Sequence, residues 1–281
     1  MNTMTAITAT APVTDAASGP APEALKKAAW RRSQLYPNIW RIGILVFVFG
    51  VWQIGTSLGV VNTFLFGSPA QVLESATRSL ADGSLLTDVW ATLSATLAGF
   101  AIGTALGVLS GWGLWFFPRV QAVFDPYFVV FNALPKIALG PMLVIWLGSG
   151  LTSKIVLAAF ATFVIAVLNA YQGARKVDSQ SVGLIRSMGA SHRQVFQKLV
   201  VPTSIPWIVA AFKINIGLAL VAVIGGEFVS ANAGLGYKSA VSGSLFDING
   251  VWVAIFAILI LAAALYFVVA AIEKTLIKKY T

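Results

Sequence analysis

Four long stretches of this chain contain no charged residue, and they limit its possible folds more than any other feature. They cover residues 42–61, 89–117, 155–174 and 248–272. Each is at least as long as the roughly 20 residues that an α-helix needs to cross the hydrocarbon core of a bilayer. In lipid, every backbone polar group must be paired within the protein, and helices achieve this pairing. The sequence therefore predicts an all-α membrane protein.

Residues 205–228 form a fifth candidate span, although they include two charges. Lys213 lies in the first half of this stretch and Glu227 near its far end. Charged side chains are costly in lipid, and inside a span they often mark a substrate or ion pathway. We expect both to face protein, headgroups or water, and we take Lys213 and Glu227 as candidates for the pathway or its gate.

A sixth span, over residues 127–147, is expected to be broken. Pro135 and Lys136 interrupt it, and a Gly-Pro pair follows at Gly140. The backbone groups freed at these prolines must be paired inside the protein or by water. The pattern fits a kinked packing helix with Lys136 extended toward the headgroups, and equally a pathway role for Pro135 and Lys136.

Small residues and prolines predict further local features. In the second span a glycine recurs every four residues, which lets another helix approach closely, either as ordinary packing or beside the pathway. These glycines are Gly99, Gly103, Gly107 and Gly111. Ser68 before Pro69 is typical of the start of a surface helix. Asp125 before Pro126 predicts a turn.

The lysines and arginines predict an orientation with both termini in the cytoplasm. They precede the first span, recur through residues 175–198 and follow the last span, whereas residues 62–88 are net acidic. Basic segments stay on the cytoplasmic side of a membrane. About six transmembrane helices with both ends inside satisfy this distribution.

We predict four parts along the chain. Residues 1–36, rich in Ala, Thr, Pro and Ser, are expected to be a disordered cytoplasmic tail. Residues 37–84 hold the first transmembrane helix and an outward loop. Residues 85–271 form the main transmembrane domain, with a cytoplasmic loop at 175–204. Residues 272–281 are the cytoplasmic C-terminus.

Several kinds of chemistry have no support in the sequence. The chain has no cysteine, no phosphate-binding G-x-x-x-x-G-K-[ST] motif and one histidine, His192, which lies in the polar loop and is expected to be solvated or to contact a partner. The net charge is +9, but the basic residues flank apolar runs instead of forming one stripe, so nucleic acid is not an expected partner. We predict no enzymatic activity, no metal site and no cofactor bound by this chain.

The polar loop carries the most informative pattern. Apolar residues recur in it at helical steps of three and four, including Ile185 and Met188, which predicts one or two short amphipathic helices. Gly189 is expected to break the helix between them. Pro202 and Pro206 are expected to end the polar part before the next apolar run.

This loop resembles the cytoplasmic loop in the membrane subunits of bacterial ATP-binding cassette importers. Their pattern is Glu-Ala-Ala, three residues, Gly, nine residues, then Ile-x-Leu-Pro. Here Gly189 is followed by nine residues and then by Leu-Val-Val-Pro at 199–202. Gly183 stands where the family has its Glu. The sequences SMGAS at 187–191 and VPTSIP at 201–206 resemble the nitrate, sulfonate and taurine branch of these permeases.

The resemblance implies a type I importer permease fold over residues 85–271, in which the polar loop couples the spans to an ATPase. The coupling residues that it implies are Gly183, Ile185, Arg186, Met188, Gly189, Ala190, Leu199 and Pro202. The Gly-Leu-Gly sequence at Gly234 and Gly236 resembles the outward loop of the same family, which makes these glycines gate candidates. A tight turn or a helix end is the alternative for them.

The implied function is that of the permease subunit of an ATP-driven, binding-protein-dependent importer in the cell (inner) membrane. The solute would be nitrate, an aliphatic sulfonate or taurine, or alternatively a heteroaromatic vitamin precursor. The implied partners are two copies of an ATP-binding subunit, which carries ATP and Mg²⁺, an external solute-binding protein, a second copy of the chain and the lipid bilayer.

Two other functional classes remain alternatives. An ion-gradient secondary transporter usually has intramembrane titratable groups and an inverted repeat, whereas this chain offers Glu227 and no repeat. A membrane scaffold or an enzyme subunit is the second alternative.

Overall fold

The computed structural model describes residues 23–278, with side chains from residue 39 onward, and all regular secondary structure in this part of the chain is helical. Its α-helices are α1 (Glu23–Ser57), α2 (Thr63–Phe66), α3 (Pro69–Ala81), α4 (Ser84–Phe116), α5 (Pro118–Ala133), α6 (Gly140–Leu147), α7 (Leu151–Arg175), α8 (Ser179–Ser187), α9 (His192–Val195), α10 (Val201–Val229), α11 (Leu235–Ser244) and α12 (Ile248–Ile277). A 3₁₀ turn (Lys136–Leu139) precedes α6, and a π-helical turn (Phe196–Val200) joins α9 to α10.

Five described helices are long and apolar enough to cross a membrane. Their candidate spans are Ile39–Ser57, Ser84–Phe116, Leu151–Arg175, His192–Val229 and Ile248–Ile277. A further pair, α5 with the 3₁₀ turn and α6, passes the same test but bends by 86° at its break. Counted as one broken span, it gives the six predicted spans. The prediction of an all-α membrane protein is confirmed.

The first helix begins earlier than the sequence suggested. It starts at Glu23, so residues 23–36, which were predicted to be disordered, are helical. They include Ala, Leu, Lys and Arg, which are strong helix formers, and the Ala-, Thr- and Pro-rich composition belongs mainly to the residues before them. The predicted disorder of residues 1–22 lies outside the described part.

The surface helix predicted at Ser68 is α3. The Ser68 hydroxyl accepts a hydrogen bond from the Gln71 N–H (3.3 Å), and Pro69 occupies the first helical turn. Both are typical of a helix start. The helix buries Val72 in a core cluster that includes Leu261 and Leu265 of α12.

The glycine row of α4 lies against α7, as the sequence predicted. All four glycines are buried, and each faces backbone or small side chains of α7. A Cβ on Gly107 would lie 2.5 Å from the Phe163 carbonyl oxygen and 2.6 Å from the Ala166 Cβ. The absence of side chains thus allows the two backbones to touch along most of the span.

The broken span is confirmed at Pro135, whereas the turn predicted at Asp125 is wrong. Helix α5 ends at Ala133, and Pro135 precedes the 3₁₀ turn. Pro126 lies inside α5, and the Asp125 carboxylate accepts a hydrogen bond from the Gln121 amide within the same helix. Membrane helices tolerate an internal proline because neighbouring groups pair the carbonyl that it leaves free.

Pro202 and Pro206 do not separate the polar loop from the next span. Residues His192–Val229 form one continuous helical span, with Pro202 in the first turn of α10 and Pro206 inside it. The π-helical turn carries the chain past Pro202, since the Val201 N–H bonds to the Phe196 carbonyl five residues back. The coupling residues predicted at Leu199 and Pro202 therefore lie on a helix and not in a loop.

Candidate functional site: a projecting helix pair and an external polar cluster

Residues 178–195 form two short helices, and their sequence determines where each begins. The Asp178 carboxylate caps α8 by accepting hydrogen bonds from the N–H groups of Gln180 (3.2 Å) and Ser181 (3.1 Å). Ser191 and Gln194 form a capping box that starts α9. Gly189 lies between the helices with φ +87°, a left-handed conformation that favours glycine. The predicted helix, glycine and helix pattern is confirmed.

This helix pair, α8–α9, leaves most of its predicted coupling residues accessible. Gly183, Arg186, Met188 and Gly189 are exposed, and Ile185 and Ala190 are half-buried. Met188 is 78% exposed. Leu184, which the sequence analysis did not single out, is 64% exposed. Its helical spacing of four residues from Met188 was the signal that could have found it.

His192 fixes the helix pair to the end of α4. Its ring stacks on Trp115, with ring centroids 4.7 Å apart, and it also meets Phe116 edge-on at 5.6 Å. Arg186 Nη2 of α8 lies 2.6 Å from His192 Nδ1, which joins the two short helices. Phe196 packs on both Trp115 and Phe116. His192 is exposed, as predicted, and it also has these contacts within the chain.

The cap at Asp178 gives a pH-dependent prediction. Hydrogen bonds from Gln180 and Ser181 lower the pKa of this carboxyl below its ordinary value. The stabilisation of α8 is therefore present above the ordinary carboxyl pKa and is lost as the pH falls through the lowered one. We expect Asp178→Ala to raise amide hydrogen exchange in α8 at neutral pH, and Asp178→Asn to keep the cap and remove its acid sensitivity. Equal exchange in all three proteins would contradict this role.

Glu227 is the centre of a buried polar cluster at the opposite end of α10. Its side chain is 3% exposed. The Thr92 hydroxyl donates to one carboxylate oxygen (2.8 Å) and the Gly236 N–H to the other (2.7 Å). Thr92 in turn accepts from the Leu235 N–H at 2.8 Å. The Asp88 carboxylate accepts from the Gly234 N–H at 2.9 Å. The cluster thus ties the segment after α10 to α4.

The Gly-Leu-Gly sequence is explained by this cluster. Gly234 has φ +125°, and any Cβ there would collide with the Glu227 carboxyl group. A Cβ on Gly236 would lie 2.7 Å from the Ile224 carbonyl oxygen and 2.9 Å from the Glu227 Cβ. Both glycines permit the backbone to reach the buried carboxylate. Gly234 is also the residue immediately before the first turn of α11.

Lys154 belongs to the same region, although no pattern in the sequence indicates it. It lies in the first turns of α7 and is 4% exposed. Its ammonium group donates to the carbonyl oxygens of Ser149 and Ser230. Lys154 and Glu227 line a cavity of about 170 Å³ that also borders Asn232. The buried Lys154 ammonium and Glu227 carboxylate thus line the same cavity.

The other predicted pathway residues lie apart from this cluster. Lys213 pairs with Glu273 of α12 (2.5 Å), and its ammonium lies 5.8 Å from the centroid of the Tyr266 ring. Lys136 donates to the Asn132 carbonyl (2.8 Å) on its own segment. Of the six predicted pathway or gate residues, the cluster contains Glu227, Gly234 and Gly236. The described residues include no group of three His, Cys, Asp or Glu side chains that could hold a metal ion.

Replacing Glu227 should loosen the segment that follows α10. Glu227→Gln leaves one acceptor oxygen where the carboxylate has two, so the Thr92 hydroxyl and the Gly236 N–H no longer each have an acceptor of their own, and it also removes the negative charge near Lys154. We expect a loss of about 1–3 kcal/mol in stability. Because the chain has no cysteine, Asn232→Cys provides a single labelling site in this segment. Thiol labelling at Asn232→Cys should be faster with Glu227→Gln. Glu273→Gln breaks the Lys213–Glu273 ion pair elsewhere in the bundle and should leave the labelling rate unchanged. Equal labelling rates in all three backgrounds would argue against a role of Glu227 in holding this segment.

A bundle of long apolar helices with a broken span, a short polar helix pair outside the bundle and a buried polar cluster at its other end defines a membrane permease. Residues 103–278 match the family of binding-protein-dependent transport system inner membrane components, and the chain belongs to that family. Members are the permease subunits of ATP-binding cassette importers, which work with a separate ATP-binding subunit and a solute-binding protein.

Similar proteins carry several different names. A probable ABC transporter permease of Brucella melitensis is 30% identical over 222 residues, covering 78% of this chain and 89% of the relative. The formylaminopyrimidine transport permease ThiX of Halalkalibacterium halodurans is 31% identical, covering 79% and 86%. The taurine transport system permease TauC of Escherichia coli is 27% identical, covering 89% and 93%. These names confirm the importer permease prediction but do not separate its branches.

The fold comparison agrees with the family. An inward-facing structure of the MetNI methionine ABC transporter matches with a TM-score of 0.61 and 20% sequence identity, covering 69% of this chain and 97% of that one. This likeness shows the fold, which is the type I importer permease fold predicted from the loop.

Proposed function

We propose that the α8–α9 helix pair is the surface on which the ATP-binding subunit docks. The observation that carries this proposal is the exposure of Leu184 and Met188 on a short helix outside the spans. Apolar side chains that face water away from the membrane are typical anchors of a protein interface. Gly189 has no heavy atom within 4 Å of the position that a Cβ would occupy, so a partner can approach its backbone.

The same geometry offers a route from the motor to the spans. His192 and Phe196 pack on the end of α4, and His192 also begins the continuous helix that reaches Glu227. A rigid displacement of the α8–α9 pair would therefore move α4 and α10 together. Thr92 of α4 and Glu227 of α10 both belong to the buried polar cluster around Glu227. ATP-driven closure at one side of the membrane would in this way reach the segment around Gly234 on the other.

We further propose that residues 85–271 act as the transport domain of a homodimer with two ATP-binding subunits, which supply ATP and Mg²⁺. One copy contributes five spans and a broken sixth, and a second copy would supply the other wall of the pathway. The external solute-binding protein would dock at the face that holds the Gly234 segment. The family membership and the separation of the two sites along α10 support these assignments.

For the solute we propose an aliphatic sulfonate, taurine or nitrate, as the loop resemblance implies. The likeness to the taurine permease supports this class, since it extends over 89% of this chain. A heteroaromatic vitamin precursor is the second candidate, and the 31% identity to the formylaminopyrimidine permease over 79% of this chain supports it.

The test is to purify the full-length chain from its own membrane with a C-terminal tag. We expect an ATP-binding subunit to copurify, and Leu184→Ser with Met188→Ser to abolish this without affecting membrane insertion. Thr87→Ser, a change on an exposed residue of α4, is the matched control. Vesicles that contain the complex and its solute-binding protein would then be tested with taurine, methanesulfonate, nitrate and formylaminopyrimidine. A stable chain that purifies alone would contradict the proposal.

A further inference from the structure

A pocket with two positive charges opens between the C-terminal end of α7 and the beginning of α10. It is lined by Tyr171, Gln172, Arg175, Lys176 and Trp207 and has a volume of about 420 Å³. We call it the Arg175 pocket. It lies on the side of the bundle where the α8–α9 pair projects, because α8 begins only a few residues after Lys176.

Both cations of the Arg175 pocket are positioned by aromatic rings. The Arg175 guanidinium carbon lies 5.7 Å from the centroid of the Tyr171 ring. The Lys176 ammonium lies 5.5 Å from the centroid of the Trp207 ring. Cation–π contacts of this kind hold a cationic group without neutralising its charge. The two rings therefore contact both cations while the positive charge remains available.

No carboxylate forms an ion pair with either cation within the described part of the chain. The described ion pairs involve neither Arg175 nor Lys176. Asp178, the acidic residue nearest in sequence, is engaged in capping α8. Asp125 accepts a hydrogen bond from Gln121 within α5. Asp178 and Asp125 keep their negative charge, and neither is bonded to Arg175 or Lys176, so the two adjacent cations in this concave site remain able to attract an anion.

An apolar surface continues from the pocket along α10. Trp207, Ile214, Val221 and Phe228 are exposed at intervals of seven residues and share one side of the helix. A molecule with an anionic end and an apolar body could therefore place its charge in the pocket and its body along this side. Tyr and Trp beside basic residues are also typical of the boundary between membrane and water.

We propose that the Arg175 pocket binds an oxyanion, a phosphate or sulfonate group, through Arg175 and Lys176. Arginine binds such groups with two parallel hydrogen bonds, and lysine adds a second charge. Two sources can supply the group. One is the headgroup of an anionic phospholipid, for which basic pockets between spans are known sites. The other is a free anion that meets the pocket from solution. The site goes beyond the proposed function, because it does not depend on which solute the importer carries.

Two measurements distinguish the sources. In the lipid arm, the full-length chain is reconstituted in nanodiscs with equal amounts of phosphatidylglycerol and phosphatidylcholine, and retained lipid is identified by native mass spectrometry. In the free-anion arm, nanodiscs of phosphatidylcholine alone are titrated with methanesulfonate and with inorganic phosphate while tryptophan fluorescence is recorded. Trp207→Phe shows which part of that signal comes from the pocket.

We expect one arm to give binding that Arg175→Gln with Lys176→Gln weakens about tenfold or more. Lys274→Gln with Lys278→Gln removes the same charge at the end of α12, where neither residue lines a described pocket, and should leave binding unchanged. Arg175→Lys with Lys176→Arg keeps the charge and should retain most of the binding. If the neutral double variant is unstable, loss of wild-type binding at high salt supports the site in its place. Absence of binding in both arms, or equal loss in the two Gln double variants, would overturn the proposal.

Discussion

Gly107→Ala is expected to destabilise the permease strongly, because it separates the two most closely packed spans. The added Cβ would lie 2.5 Å from the Phe163 carbonyl oxygen, 2.6 Å from the Ala166 Cβ and 3.1 Å from the Val167 N. Two of these atoms are backbone, which cannot move aside without displacing α7. Overpacking of this kind costs about 1–3 kcal/mol, and a rigid helix pair places the effect at the upper end.

The measurement is thermal unfolding of the purified chain in detergent, together with its monodisperse fraction. Gly113→Ala is the matched control, because Gly113 lies in the same helix and has no heavy atom within 4 Å of the position of its Cβ. That change should be neutral or slightly stabilising, since alanine is the better helix former. Equal unfolding temperatures for Gly107→Ala and Gly113→Ala would contradict the packing argument.

The helices and their close packing could be predicted because they depend on local patterns. A charge-free run long enough to cross a bilayer has no alternative to a helix in lipid. The close packing of α4 could be predicted from its recurring glycines on one assumption, that some other span packs against them. That span is α7. The helix pair around Gly189 was also local, since capping residues, helical spacing and a glycine all lie within one short segment.

The buried polar cluster around Glu227 could be predicted only in part. Glu227, Gly234 and Gly236 stand close together in sequence, so their association was accessible. Thr92 was not, because a lone threonine in an apolar span forms no pattern, and its contact with Glu227 depends on how α4 and α10 pack. Lys154 could not be predicted either, because a lysine beside a charge-free run usually lies at the membrane surface. Two backbone carbonyls and a nearby carboxylate, all supplied by the fold, allow it to be buried.

The errors at prolines share a physical cause. Pro126 and Pro206 lie within helices, and Pro202 follows a π-helical turn without interrupting the span. In a soluble protein, proline commonly ends a helix because it lacks the N–H donor and its ring clashes with the carbonyl four residues back, and water can pair the carbonyl that is freed. In a membrane, a chain that leaves the helical conformation exposes several backbone groups to lipid. A strained helix therefore has the lower free energy. The pairing of Lys213 with Glu273 was missed for a different reason, since it joins two spans that are distant in sequence.

Gly189→Glu is expected to abolish transport while leaving membrane insertion intact. Gly189 has φ +87°, which costs a side-chain-bearing residue about 1–2 kcal/mol. The permease itself has room for the side chain, since no heavy atom lies within 4 Å. The effect should therefore fall on the proposed docking surface, where a carboxylate would meet an incoming partner beside Met188. Solute uptake and copurification of the ATP-binding subunit should both fall to background, with thermal unfolding lowered only slightly.

Gly183→Glu is the control that makes this result specific. It introduces the same side chain on the same helix pair, at an exposed position with an ordinary helical backbone, where the importer family carries Glu. Copurification should persist or increase with Gly183→Glu. Gly189→Asn separates conformation from charge, since asparagine tolerates the left-handed backbone and should retain part of the transport. Normal uptake by Gly189→Glu would remove Gly189 from the interface. Equal loss in Gly183→Glu would mean that added charge anywhere on α8–α9, and not close approach at Gly189, prevents docking.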